Sequence, residues 1–198
     1  MFLKRIFDVL VSFIALIILS PLFLLIALYI MIDSKGNIFY KQKRVGKGSR
    51  LFELYKFRTM YSGADKKGFL TIGENDKRIT KAGYFLRKYK LDELPQLLNV
   101  LIGDMSLVGP RPEVQKYTNM YNAVQKKVLS VKPGITDYAS IEYSNENEIL
   151  AKENNPEQAY INLIMPAKLK LNLNYIEERN FGMDLKIILL TVKKIISH

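Results

Sequence analysis

The chain has 198 residues, 48% of them hydrophobic, which excludes a disordered polymer and suits one ordinary domain plus one appended element. It carries 30 basic and 19 acidic residues, a formal net charge of +11, with no cysteine and a single histidine, the terminal His198. A disulfide framework, a thiolate nucleophile, histidine-based zinc sites and a serine–histidine–aspartate triad are thereby excluded. The charge is unevenly placed. Residues 1–35 carry net +1, residues 36–91 carry 15 basic and four acidic groups, and residues 92–198 carry net −1. One central block holds the whole excess and points to an anionic partner met there.

In chain order, the first feature is a run of 24 uncharged residues from Val9 to Ile32, bounded by Asp8 and Asp33. As one helix it would reach about 36 Å, enough for a hydrocarbon core of about 30 Å. It is too long for a signal-peptide core and lacks a small-x-small cleavage site. Pro21 removes a backbone donor at its midpoint. Lys4 and Arg5 precede the run and Lys35, Lys41, Lys43 and Arg44 follow it, so both ends favour the cytoplasmic side. Two arms of about 16 Å bent at Ser20-Pro21 would satisfy both ends as a re-entrant hairpin. A straight single-pass span is the alternative that the residues leave open. The anchor takes residues 1–35 and the soluble domain 36–198.

Residues 38–58 alternate weakly and predict a β-hairpin turning at Gly46-Lys47-Gly48-Ser49. Residues 61–78 are turn-rich and predict a surface loop. Thr80 is placed to cap a short helix carrying Tyr84, Phe85, Arg87 and Lys88. Asp92 then reads as the N-cap of a helix with Glu93 in its first turn, Pro95 at an early position and a stop at Gly103. Asp104 fits a turn cap. Residues 114–130 predict a helix ended by Pro133-Gly134. Helical pattern resumes at Pro156, with interruptions expected at Pro166 and Gly182. The stretch from Asp184 to Ile196 is amphipathic, suited to packing on the core or lying on a membrane surface. The fold class is mainly α with a small β-hairpin: a re-entrant helix-break-helix, then a largely helical catalytic domain with amphipathic interfacial helices.

Without histidine or cysteine, the chemistry falls to carboxylates, lysines, hydroxyls and arginines. Asp92-Glu93 follows the basic run Arg87-Lys88-Tyr89-Lys90. As a plain helix start the pair would contribute about 1 kcal/mol from the cap and about 0.3–1 kcal/mol from the helix dipole. Gly109-Pro110-Arg111-Pro112 fixes an arginine between two prolines, a stiff presentation of a fork that suits phosphate. Arg87, about one and a half turns before Asp92 if the helix continues, and Arg111 are the first candidates for anion contacts, with Arg44, Lys56 and Arg58 behind them.

The segments KQKRVGKGSRLFELYKFRTM (41–60), DKRITKAGYFLRKYKLDELPQLLNVLIGDMSLVGPRP (76–112) and VKPGIT (131–136) resemble the bacterial sugar transferases, the small monotopic phosphoglycosyl transferases. The opening Lys4-Arg5-Ile6-Phe7-Asp8 and the Ser20-Pro21 pair resemble them too. The resemblance implies transfer of a phosphosugar from a UDP-sugar to polyprenyl (undecaprenyl) phosphate, releasing UMP, as the first membrane step of glycoconjugate or exopolysaccharide assembly. It implies Asp92 as nucleophile, Glu93 as its partner, Mg2+ held at Asp92 and Glu93, and a re-entrant break at Ser20 and Pro21. It also implies a bacterial inner-membrane location, with the catalytic domain facing the cytoplasm and no nucleic acid partner. Asp137-Tyr138 departs from the glycine and tryptophan of many larger members, which leaves the sugar open. The competing class is a membrane-tethered basic adaptor for anionic lipid or nucleic acid, with Tyr40, Phe52, Tyr55 and Phe57 as stacking groups.

Overall fold

The computed structural model describes residues 2–64 and 76–196. Part of the expected 61–78 loop lies outside those residues, as does His198. Helix α1 runs from Phe2 to Asp33 without interruption, through Pro21. The expected helix-break-helix is thus one continuous helix, and the reason is local. Pro21 cannot donate to the carbonyl of Ile17, and the Ser20 hydroxyl donates to that same carbonyl at 2.8 Å.

One face of α1 packs on the domain along its length. Phe7, Val11, Ala15 and Leu19 lie against one cluster with Val100, Met105 and Ile187, while Phe23, Ile26 and Ile30 lie against another with Phe57 and Leu86. The other face leaves Leu10, Phe13, Ile17, Leu24 and Leu25 more than half exposed. Polar contacts fix both ends. Lys4 Nζ donates to Asp184 at 2.5 Å and to the Val108 carbonyl at 3.0 Å, and Arg5 donates to the carbonyls of Val100 and Leu101. Asp8 accepts from Ser106 Oγ at 2.8 Å. At the far end, Asp33 accepts from the Ala82 amide and Arg58 donates to the Ser34 carbonyl.

Strands β1 (Phe39–Val45) and β2 (Leu51–Phe57) form the expected antiparallel hairpin, closed by a 3-10 turn at Lys47–Ser49. Its register places Tyr40 opposite Lys56, Gln42 opposite Leu54 and Arg44 opposite Phe52. Directly paired residues share a face, so Tyr40, Gln42, Arg44 and Lys56 stand on one side together. The outer edge of β2 is closed by Asn99, which accepts from the Tyr55 amide and donates to the Glu53 carbonyl.

Helix α2 (Lys81–Lys88) begins as expected, with Thr80 Oγ1 accepting from the Gly83 amide. The next segment departs from expectation. Lys90 adopts a left-handed conformation, φ 56°, and Leu91–Glu93 form a 3-10 turn. Helix α3 (Gln96–Ile102) starts only after Pro95 and ends at the left-handed Gly103. Asp92 is therefore not an N-cap, and α2 does not continue toward it.

A second, unanticipated sheet pairs β3 (Ser106–Val108) in parallel with β4 (Gly134–Thr136). A Cβ on Gly134 would stand 2.1 Å from the Gly109 nitrogen, so only glycine lets the two motifs approach this closely. The expected helix over 114–130 is instead α4 (Gln115–Thr118) and a 3-10 segment at Gln125–Ser130. Then come α5 (Tyr138–Glu142), α6 (Glu146–Ala151), α7 (Pro156–Ala159) and α8 (Met165–Glu178). A π-helical segment at Tyr160–Ile164 joins α7 to α8, so Pro166 enters at the first turn of α8 and does not interrupt it. The break before α9 (Phe181–Ile196) falls at Arg179 and Asn180, ahead of Gly182. Helix α9 buries Asp184 and Ile187 and leaves Leu185, Leu189 and Val192 exposed on the opposite face.

Candidate active site

The hairpin face that carries Tyr40, Gln42, Arg44 and Lys56 forms one wall of a cleft of about 800 Å³. The turn with Asp92 and Glu93, the Arg111 loop, α5 and the inner side of α9 supply the other walls. All of the candidate site residues, Arg44, Lys56, Arg58, Arg87, Asp92, Glu93 and Arg111, line this cleft.

Glu93 is fully engaged. It accepts from Lys56 Nζ at 2.8 Å, from Arg111 Nη1 at 3.1 Å and from Arg111 Nη2. Burial alone would raise its pKa, but Arg111 and Lys56, through charge and hydrogen bonds together, hold its carboxyl well below the ordinary range. Glu93 in turn raises the guanidinium pKa of Arg111. Asp92 is its opposite. Only 8% exposed, it has Lys56 Nζ at 4.0 Å and, among the described residues, no donor at hydrogen-bond distance. Burial pushes its carboxyl up, against the pull of Lys56, Arg87 and Lys90, and Glu93 adds to the push. The site thus contains one clamped carboxylate and one uncommitted one, side by side.

The loop that presents Arg111 is itself pinned. Asp137, 1% exposed, accepts from the Arg111 amide at 3.0 Å and caps α5 by accepting from the Ser140 amide at 2.6 Å. The position read as a hint about the sugar is therefore structural support for the arginine. Arg44 donates to Gln42 and to the Pro112 carbonyl, with Glu113 Oε2 at 3.6 Å. Burial lowers its pKa, and Glu113 opposes this. Arg87 is half-buried, with its pKa lowered by burial and lifted in part by Asp92, and its guanidinium makes no hydrogen bond among the described residues. Arg58 sits on the same hairpin face beyond Lys56 and holds the end of α1.

Sequence reasoning missed Glu113, which accepts from Tyr160 Oη at 2.7 Å and stands against Arg44, and the Lys168–Glu146 ion pair at 2.6 Å. The position of Glu113 next to Pro112 was the available signal. Of the aromatic groups that an adaptor would stack on bases, Phe57 is buried and Phe52 packs on the core.

Magnesium binds through one or two carboxylates together with substrate phosphates. Among the described residues no group of three potential ligands assembles, so a metal here would depend on the substrate's own oxygens. Asp92 has free lone pairs for that role, while Glu93 keeps one only on Oε2, since Lys56 and Arg111 both occupy Oε1.

The family model for bacterial sugar transferases matches residues 1–198. The chain belongs to that family. EpsL of Bacillus subtilis, an uncharacterized sugar transferase, is 39% identical over 196 residues, covering 99% of this chain and 88% of the relative. The UDP-glucose:undecaprenyl-phosphate glucose-1-phosphate transferase of Klebsiella pneumoniae is 38% identical over 195 residues, 96% of this chain and 39% of the relative. A UDP-N-acetylgalactosamine-undecaprenyl-phosphate N-acetylgalactosaminephosphotransferase of Aeromonas hydrophila is 41% identical over 143 residues, 71% of this chain and 34% of the relative. The chain thus spans well under half the length of these last two sugar transferases, whose names specify different sugars.

Proposed function

We propose that this sugar transferase moves a phosphosugar from a UDP-sugar to polyprenyl phosphate in two steps at Asp92. The uncommitted carboxylate of Asp92, set among cations beside a clamped Glu93, carries the reading. An Asp92 oxygen attacks the sugar-bearing phosphorus, the bond from that phosphorus to the bridging oxygen breaks, and UMP leaves with the electron pair. A phosphate oxygen of the acceptor then attacks the same phosphorus and returns Asp92 as a free carboxylate, giving polyprenyl diphosphosugar. Asp92 attacks as the carboxylate, the form that Lys56, Arg87 and Lys90 favour against burial and Glu93.

The difficulty is electrostatic. A carboxylate and a phosphate charge 4 Å apart repel by about 4 kcal/mol at an effective dielectric of 20. Lys56, Arg87 and Lys90 pull on Asp92, and Arg111 lines the same cleft, so all four cations act against that repulsion. Mg2+ held by Asp92 and the donor diphosphate would supply further charge neutralisation on the leaving diphosphate. Glu93 serves by fixing Arg111 and Lys56 in place.

The same reading makes the protein monotopic at the bacterial inner membrane, with both ends of α1 held on the cytoplasmic domain and its apolar outer face turned to the bilayer. Its support is the set of polar contacts that tie both ends of α1 to one domain, together with the apolar outer faces of α1 and α9. The test of the chemistry is intact-mass analysis after mixing with a panel of UDP-sugars. The parent should gain a phosphosugar adduct and release UMP, and Asp92→Asn should do neither. Undiminished turnover by the asparagine variant would overturn the assignment.

A further inference from the structure

Among the described residues, the carboxylates that line the cleft are those of Asp92, Glu93, Glu113 and Glu146. Glu93 is clamped by Lys56 and Arg111. Glu113 is committed as well: Oε1 accepts from Tyr160 Oη at 2.7 Å and Oε2 from the Val114 amide at 3.2 Å. Asp92 takes the reaction. Glu146, the first residue of α6, gives Oε2 to Lys168 Nζ at 2.6 Å, and its Oε1 has no hydrogen-bond partner among the described residues. The pair is open to the cleft, with 23% of the Glu146 side chain exposed and 12% of that of Lys168. Tyr143 and Asn147 line the cleft beside it, and Asn147 is exposed. Since Lys168 already supplies the counter-charge, the remaining oxygen of Glu146 calls for an uncharged donor. A hydroxyl fits it, whereas a phosphate would be repelled.

The place of Glu146 in the cleft decides whose hydroxyl. Arg111 is hydrogen-bonded to Glu93, and its pKa is raised first by Glu93 and further by Asp137 and Glu146. Burial, then Lys56, Glu93, Arg87 and Lys90, govern Asp92, which leaves Glu146 on the far side of Arg111. In an in-line displacement the leaving group departs opposite the nucleophile. UMP therefore leaves Asp92 past Arg111, toward α6. This end of the cleft also stands apart from the apolar helix. Lys168 lies over the Tyr160 ring, and Tyr160 belongs to a core cluster to which α1 contributes no described residue, unlike the two others. A water-soluble nucleoside suits that end, and a carboxylate reading a ribose hydroxyl is a general mode of nucleotide recognition.

We infer that Glu146 Oε1 accepts a hydrogen bond from a ribose hydroxyl of the donor's uridine, so that the nucleotide lies across Arg111 with its nucleoside at the start of α6. This rests on the proposed attack of Asp92 on a UDP-sugar.

The test is equilibrium binding of UMP and 2′,3′-dideoxy-UMP to the full chain in detergent micelles, followed by ligand-observed NMR. The parent should bind UMP at least tenfold more tightly than the dideoxy analogue, the loss expected for a hydrogen bond to a charged group. In Glu146→Ala the two should bind within twofold of each other. Because that variant also leaves Lys168 without its anion, the ratio in the parent supplies a reading independent of any substitution. A Glu146 that merely supports the fold would weaken both ligands equally and preserve the ratio, which overturns the inference. A parent that binds the two alike, or binds no UMP, overturns it too. Unchanged UMP binding in Glu146→Ala with a donor KM raised tenfold overturns the ribose assignment in favour of the transferred sugar. Failure of the two-step reading shows separately, as a parent that gains no phosphosugar adduct in intact-mass analysis while the analogue ratio holds.

Discussion

Replacing Glu93 by glutamine tests the electrostatic core of the site. The substitution keeps shape and one acceptor oxygen but removes the charge that meets Lys56 Nζ at 2.8 Å and both terminal nitrogens of Arg111. Breaking a fully buried pair costs about 3–5 kcal/mol, while hydrogen bonds to charged groups contribute about 1.5–3 kcal/mol. The Arg111 side chain is 32% exposed and that of Lys56 19%, so water partly solvates the orphaned cations and the lower range applies. A loss of about 2 kcal/mol at pH 7 lowers Tm by about 4–8 °C for a chain of this size. The pH dependence has a definite sign. The carboxyl of Glu93 is held well below its ordinary value in the folded state, so its contribution is full above the unfolded pKa of about 4.3. The contribution fades as pH falls through the folded value. Thermal unfolding of parent and Glu93→Gln in detergent micelles, followed by circular dichroism from pH 7 downward, should therefore show the Tm gap closing on acidification. A gap that is absent at pH 7, or unchanged well below pH 4, would refute the clamp.

Asp92 should behave in the opposite sense. With its folded pKa raised, the ionised form costs stability at neutral pH, so Asp92→Asn should melt no lower than the parent at pH 7, and any advantage should shrink as pH falls toward about 3.9. Asp137→Ala should cost about 1–2 kcal/mol from the lost cap of α5 and lower kcat/KM at least tenfold as the Arg111 loop loosens, measured by calorimetry and UMP release. Asn99→Leu orphans the Tyr55 amide and the Glu53 carbonyl and should destabilise by at least about 2 kcal/mol, seen in the same melts. For topology, Leu3→Cys and Lys35→Cys place single thiols in a cysteine-free chain at exposed positions flanking the apolar run. Neither should react with an impermeant thiol reagent in intact cells and both should react once the membrane is opened; labelling of Leu3→Cys in intact cells would contradict the monotopic reading.

What the sequence disclosed depended on how local the cause was. Alternation gave the hairpin, and the Thr80 cap gave α2, because both signals sit within a few residues of their effect. Asp92-Glu93 was misread as a helix start because its appearance matches one. The left-handed turn at Lys90 that rotates Asp92 out of a capping role has no glycine to announce it. Strands β3 and β4 are three residues each, too short for periodicity, and their pairing depends on the contact of Gly109 with Gly134 across 25 positions. Pro21 signalled a break correctly as chemistry but not as geometry, since Ser20 supplies the donor that proline lacks. The candidate residues Arg44, Lys56, Arg87 and Arg111 were visible as charge. Which of them are spoken for by Glu93 and Glu113 was not, because those partners are fixed only by tertiary packing.

The contacts of α1 bear on the chemistry as much as on attachment. Lys4 and Asp8 hold β3, the strand that runs directly into the Arg111 loop. Ile30 and Ser34 hold Arg58, at the end of the strand that carries Lys56. The two sides of the cleft are thus each fastened to the same apolar helix, at points 26 residues apart, which along a helix is about 39 Å. A tether would need only a flexible link to the domain. A helix that is also a wall of the domain fixes the height of the cleft relative to its own apolar outer face. Under the proposed two-step transfer, with a donor dissolved in water and an acceptor confined to lipid, that fixed height is the geometric condition for both to reach Asp92 in turn.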